Sequence, residues 1–302
     1  MLAEALFNNS RNPQGDCNKK HKRSEERTMT LLNLIESQIN SRPNGGLVTE
    51  MQLIVDKISR PLQANLVRTR LRAMLDRSLG SGICTIISGR AGTGKTTLAA
   101  DFAASCNRRV AWYKVDAPDS EFDVFMDYLA VSIGQQRPGF NEHAIRSAAA
   151  GVKSDDIPLF SERFVFELID DDSDPLLIVI EDLHLVCDTE WLVPFLDRFL
   201  QLAPPNVHIL ITSRTLPPAP LWRMRSKQTL EVIDELSLAF TREEAVELFE
   251  TYGLSRQLAY LAFDRTNGRA GALAKYADKL EELPLEATGV ASVLSRLGAS
   301  ET

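Results

Sequence analysis

Residues 83–97 confine this chain to a narrow set of folds. Ile83-Cys84-Thr85-Ile86-Ile87-Ser88 is an apolar, β-branched run of strand length. Gly89-Arg90-Ala91-Gly92-Thr93-Gly94-Lys95-Thr96-Thr97 follows it without a break, and Leu98-Ala99-Ala100-Asp101-Phe102-Ala103-Ala104 then has the composition of a helix. The middle segment satisfies G-x-x-x-x-G-K-[ST]. Strand, glycine-rich turn and helix is the setting in which such a loop holds phosphate.

The chemistry comes from the backbone. Glycines let the loop close tightly around an anion, so that successive N–H groups and the helix N-terminus point at the β- and γ-phosphates. Lys95 can reach those phosphates as a flexible point charge, and the Thr96 hydroxyl can complete the octahedron of a Mg²⁺ ion. The loop residues from Gly89 to Thr97 are therefore the candidate nucleotide-binding set.

The remaining composition is that of an ordinary globular protein: 302 residues, 44% hydrophobic and 25% charged, enough for two domains. A formal net charge of -7 argues against general electrostatic affinity for nucleic acid. Cys17, Cys84, Cys106 and Cys187 lack metal-ligand spacing and read as reduced thiols. No apolar run reaches membrane-span length and no signal peptide is evident, so a cytoplasmic protein is expected.

Along the chain, residues 1–28 form a polar stretch expected to be disordered, its basic run Lys19–Arg23 followed at once by Glu25 and Glu26. Residues 29–57 read as a helical extension and linker, with a short amphipathic helix over Met29–Ile39 and a loop signal at Ser41–Gly46. From Ile58 to Leu236 apolar strands alternate with helical patterns. Strands are expected at Arg109–Val115, Pro175–Ile180, Val207–Thr212 and Thr229–Ile233. Helices are expected at Val67–Leu79, Glu121–Ile133, Phe160–Ile169 and Trp191–Leu202. That alternation predicts an α/β fold, a parallel sheet covered by helices on both faces, with its ligand at the carboxyl ends of the strands. Residues 237–284 carry only helical patterns, opened by a capping box at Thr241 and Glu244, and read as a small helical lid domain. A tail, residues 285–302, follows.

Two further strand ends carry chemistry. Leu176–Ile180 runs into Glu181-Asp182, placing two carboxylates where a neighbouring strand can deliver them to a γ-phosphate. Glu181 is the candidate metal-side group and Asp182 the candidate water-orienting base, itself close enough to share the metal. Thr212-Ser213-Arg214 closes the next strand, and Arg214 is positioned to report the γ-phosphate or to stabilise charge developing on it. His184 reads as a hydrogen-bonded loop histidine at least as readily as a catalytic one, and takes no role.

Taken in order, Ile58-Ser59-Arg60-Pro61, the phosphate loop, Ile180-Glu181-Asp182-Leu183-His184, Ile211–Pro217 and Leu238–Ala245 resemble the ATPase module of STAND proteins, as found in the maltose-regulator and large LuxR-type transcription activators. The resemblance spans about residues 58–282. It implies an ATP/ADP switch with slow Mg²⁺-dependent hydrolysis, closed with ADP and self-associating with ATP. It assigns Arg68 to the border of the adenine pocket. It places Gly268-Arg269-Ala270 where the family often has a Gly-x-Pro turn against the nucleotide, and the absent proline predicts a looser lid contact. Glu181 stands where Asp is common. The sensor repeats and DNA-binding helix-turn-helix of the signalling members have no counterpart, so a bare switch module, a truncated gene product, or output through a protein partner is expected.

The alternatives are an AAA-type motor acting on nucleic acid or protein, and a scaffold that no longer binds nucleotide. The intact Lys95 and Thr96 speak against the scaffold. No guanine-reading Asn/Thr-Lys-x-Asp element follows a late strand, so adenine is the expected base.

Overall fold

The computed structural model describes residues 54–62, 66, 68–169 and 174–281. The expected polar tail, the Met29–Ile39 helix and the C-terminal tail lie outside them. Five strands, β1 (Cys84–Ser88), β2 (Arg109–Lys114), β3 (Leu176–Glu181), β4 (Val207–Ser213) and β5 (Leu230–Ile233), form one sheet in the order β2-β3-β4-β1-β5. Every pairing is parallel. Parallel strands need crossovers, and helices supply them. These are α1 (Thr69–Ser81), α2 (Lys95–Ser105), α3 (Phe122–Gly134), α4 (Glu142–Ala149), α5 (Ile157–Glu167), α6 (Leu192–Leu202) and α7 (Trp222–Ser226). After β5 come the single turn α8 (Glu235–Leu238) and then α9 (Arg242–Thr251), α10 (Arg256–Thr266) and α11 (Ala270–Glu281).

The strand order departs from the sequence reading in one respect. The strand ending in Glu181 does not neighbour β1; β4 lies between them. Both β3 and β4 are buried along their whole length, as near-continuous apolar runs in a doubly covered sheet should be.

Alternation along the strands sorts side chains to two faces. Cys84, Ile86, Ala111, Tyr113, Ile178, Ile180, Ile209 and Ile211 join a core with α3 to α6. Ile87, Trp112, Leu177, Val179 and Leu210 join another with α1 and α2. The first core is built around aromatic rings. Phe195 meets Phe122, Phe125, Phe164, Trp191 and Phe199, with centroids 5.4 to 6.4 Å away. It is carried there by α6, whose buried Leu192, Phe195, Leu196, Phe199 and Leu200 follow helical spacing. A third apolar cluster, including Phe240, Phe249, Leu258, Leu273 and Leu280, holds α9 to α11 together.

The segment entering the domain is fixed by a buried ionic ring. Lys57 Nζ lies 2.6 Å from Asp119 Oδ1, while the Tyr113 hydroxyl and the Asp116 amide donate to Asp119 Oδ2. Lys57 also sits 4.4 Å from the centre of the Tyr128 ring. A buried charge persists only when paired and hydrogen-bonded, and Asp119 is both.

Candidate nucleotide site

The loop from Gly89 to Gly94 joins β1 to α2, and its two inner glycines do what the sequence requires of them. Gly92 and Gly94 adopt left-handed φ values of 76° and 87°. Gly94 caps the N-terminus of α2 from that conformation, which L side chains rarely adopt. Gly89 is tied to the sheet through its amide, 3.2 Å from Ser213 O. Thr93 Oγ1 donates to Arg90 O at 2.8 Å, closing the turn on itself.

Lys95, 7% exposed, donates from Nζ to Gly89 O at 2.6 Å and to Arg90 O at 2.9 Å. Burial lowers its ammonium below the ordinary lysine range; Asp182, Glu235 and Glu181 work against the shift, Arg214 with it. An ammonium held on two carbonyls without a carboxylate in contact is a cation prepared for an anion.

Thr96 Oγ1 donates to Glu181 Oε1 at 2.5 Å, so the first turn of α2 and the end of β3 meet across the intervening strand. The second carboxylate oxygen, Oε2, accepts from the indole Nε1 of Trp112 at 3.3 Å. Asp182 adopts φ = 58°, in the left-handed region, and its amide donates to Thr212 Oγ1 at 3.1 Å. Arg214 is exposed just past β4, close enough for its charge to depress the protonation of both Lys95 and His184. His184 is not hydrogen-bonded as expected: both ring nitrogens are buried without a partner, and Nδ1 lies 3.8 Å from Asp182 Oδ1. Burial lowers its pKa.

A cleft of about 930 Å³ opens beside the loop, bordered by Arg68, Lys95, Thr96, Thr97, Phe102 and Phe240. Arg68 is held firmly: Nη1 donates to Leu238 O at 2.7 Å, Nη2 to Ala239 O at 2.9 Å and to Glu244 Oε2 at 2.8 Å. Its guanidinium carbon lies 4.0 Å from the centre of the Phe240 ring. Desolvation of Glu244 is outweighed by Arg68 and the Thr241 amide, and its pKa falls. The expected capping box at Thr241 and Glu244 is present, so one carboxylate both caps α9 and pairs Arg68.

Among the described residues Gly268 makes no hydrogen bond to the loop. It has φ = 74° and lies against Phe240, whose amide donates to its carbonyl at 2.8 Å. The next residues make the contact instead. Arg269 Nη2 donates to Ala91 O at 2.7 Å, and the Gly271 amide donates to Gly92 O at 2.8 Å. A Cβ on Gly271 would stand 2.9 Å from Gly92 O. The loose contact expected from the missing proline is thus replaced by a close one, because Gly271 keeps its N–H and brings no side chain. Arg90 is held from another side, its amide donating to Glu235 Oε2 at 3.1 Å and its Nε to Oε1 at 2.8 Å.

The site therefore gathers Gly89 to Thr97, Glu181, Asp182 and Arg214 around the ends of β1, β3 and β4, with Arg68 on the cleft's far border. Trp112, Glu235, Arg269 and Gly271 were not anticipated. Only Gly271, the next glycine after Gly268, offered a sequence signal; the others depend on register and tertiary approach. Among the described residues no three His, Cys, Asp or Glu side chains cluster as a metal cage. None of the described helices is long and apolar enough to cross a membrane.

Residues 66–211 match the AAA ATPase domain family. The HTH-type transcriptional regulator MalT of Serratia proteamaculans is 33% identical over 203 residues, 66% of this chain and 22% of the regulator. MalT of Yersinia pestis is 35% identical over the same shares. The chain thus spans about a fifth of these relatives' length. Among solved structures, a Walker-type ATPase of Pyrococcus abyssi is 13% identical, covering 76% of this chain and 71% of its own, with a TM-score of 0.44. AMPPCP-bound DnaA from Aquifex aeolicus is 12% identical, covering 76% and 64%, with a TM-score of 0.42. Residues 66–211 are thus similar to AAA ATPase domains, and about two thirds of the chain is similar to about a fifth of the MalT regulators.

Proposed function

We propose that this module is an ATP-dependent regulatory switch of the STAND kind, with slow Mg²⁺-dependent hydrolysis, serving transcription or signalling through a protein partner. The observation that carries the reading is the pair of hydrogen bonds from Arg269 and Gly271 to the carbonyls of Ala91 and Gly92. They join Arg269 and Gly271, in the segment read here as the lid, to the loop that would hold phosphate.

The residues present fit a magnesium nucleotide. Lys95 is a buried ammonium with only backbone acceptors, and Gly92 and Gly94 leave the loop without side chains at its inner turns. ATP and Mg²⁺ supply the scissile phosphoanhydride and the charge that offsets its leaving diphosphate. Lys95 and the loop amides hold the phosphates, and Thr96, Glu181 and Asp182 hold the metal side. Asp182 takes a proton from the attacking water at its carboxylate, Arg214 reads the γ-phosphate, and Arg68 with Phe240 borders an adenine. In the ATP state the module self-associates.

Extraction of nucleotide from the purified protein tests this. ADP at close to one per chain, lost in Lys95→Ala, is expected. The AAA domain match keeps a motor in play. Hydrolysis stimulated many-fold by DNA or unfolded protein, with no retained ADP, would replace the switch by that motor.

A further inference from the structure

We propose that Trp112 is a positioning residue for the metal side of this site. Its indole N–H holds one oxygen of Glu181, so that the other always takes the Thr96 hydroxyl proton and the lone pairs of that hydroxyl stay turned toward Mg²⁺. The inference rests on the nucleotide reading above and adds to it a residue that no loop motif contains.

The geometry follows from strand register. Trp112 on β2 pairs with Val179 on β3, and Glu181 lies two residues further along the same face. From there the Trp112 indole reaches across to the carboxylate, Nε1 to Oε2 at 3.3 Å. Trp112 is 2% exposed and belongs to the core cluster that includes Phe102, Leu177 and Val179, so its ring has little freedom. Glu181 is also 2% exposed. Its two oxygens are divided between two donors, Thr96 Oγ1 at 2.5 Å and Trp112 Nε1 at 3.3 Å.

The choice of donor matters. An indole N–H donates and never accepts, and it carries no charge to neutralise the carboxylate. It fixes the orientation of Glu181 while leaving its negative charge available to the site. The Thr96 hydroxyl has one proton and two lone pairs. As long as Glu181 Oε1 takes the proton, the lone pairs are free for a cation. Glutamate is long enough for this because β4 separates β3 from β1, and the carboxylate must span that gap to reach α2. Without Trp112, Oε2 would be a buried acceptor with no donor, and the carboxylate would turn to find one.

The test is a Mg²⁺ titration of the full chain saturated with a fluorescent ADP analogue, comparing wild type with Trp112→Phe, which keeps an aromatic ring and removes the donor. The Mg²⁺ midpoint is expected to rise about tenfold, the lower end of what losing a partner of a ligand group costs. Affinity for the analogue in EDTA should stay within about twofold, as no phosphate contact is touched. In a Glu181→Ala background the same substitution should have no further effect on the midpoint. A midpoint in Trp112→Phe equal to wild type overturns the assignment. A second readout needs no folded Trp112 variant: among the three tryptophan indole N–H resonances, that of Trp112 should move when Mg²⁺ replaces EDTA and again in Glu181→Ala. An indole resonance indifferent to both overturns it as well. Wild type that binds no analogue at all overturns the nucleotide reading itself, and this assignment with it.

Discussion

The amide of Gly271 meets the carbonyl of Gly92 at 2.8 Å, so the first turn of α11 is bonded to the backbone of the phosphate loop rather than to anything inside it. Valine at Gly271 would put a Cβ 2.9 Å from that carbonyl and force the helix away. Gly271→Val is expected to speed dissociation of a fluorescent ADP analogue on the order of tenfold, the equivalent of about 1.4 kcal/mol. Stopped-flow displacement measures it. An unchanged off-rate would mean that the helix does not restrain the loop.

Arg68 holds the linker after α8 and the start of α9 in one grip, and Glu244 is its buried partner, with their side chains 9% and 10% exposed. Removing only the cation strands the anion. Arg68→Met should lower unfolding free energy by about 3 kcal/mol. Arg68→Met with Glu244→Gln should recover part of the loss. Urea denaturation of both variants checks the pair, and equal losses would show that the charges are not coupled.

Lys95 sets affinity against stability. Its folded-state pKa lies below that of the unfolded chain, so the folded form holds the proton more weakly and the charged side chain costs stability at neutral pH. That cost shrinks as pH rises toward the ordinary lysine range. Lys95→Met should therefore melt no lower than wild type without nucleotide, while weakening ADP binding roughly 10- to 100-fold, the range for one charge-assisted hydrogen bond. Melting curves at pH 7 and pH 9 beside a binding isotherm read both halves.

His208 is buried between Thr85 Oγ1, 2.9 Å from its Nε2, and Gly82 O, 3.2 Å from its Nδ1. Burial drives its pKa down to about 4. The unfolded chain takes up a proton near the ordinary value of 6.5 while the folded protein does not, so stability falls as pH drops from 6.5 toward 4. The loss across that window is about 3 kcal/mol. His208→Gln should flatten this part of the pH profile, and a profile as steep as wild type would assign the loss to other groups.

The sequence displayed most of the sheet and the loop because both rest on local signals. The β-branched runs became β1 to β5 within a residue or two, and the glycine loop sits where its pattern requires. The helix expected at Phe160 begins at Ile157, since Pro158 fits a first turn that has no use for its missing N–H. Three helices escaped notice, the single turn α8 among them. α4 buries only Ile145 and Ala149, too little for an apolar period. α7 is a five-residue turn burying Met224 alone.

The site was legible in part for a different reason. Lys95, Thr96 and the carboxylates sit at strand and helix ends, which sequence can mark. That β4 separates β3 from β1, that Trp112 therefore meets Glu181, and that Gly271 rather than Gly268 touches the loop are consequences of strand order and helix approach. No residue announces them in advance.

The ring formed by Lys57, Asp119 and Tyr113 sets a practical limit on dissecting this protein. Any fragment trimmed to start beyond residue 57 deletes the ammonium but keeps the carboxylate, stranding an anion at 0% exposure beneath an edge strand. A shortened version made for crystallisation or screening should retain that lysine, or carry Asp119→Asn as compensation.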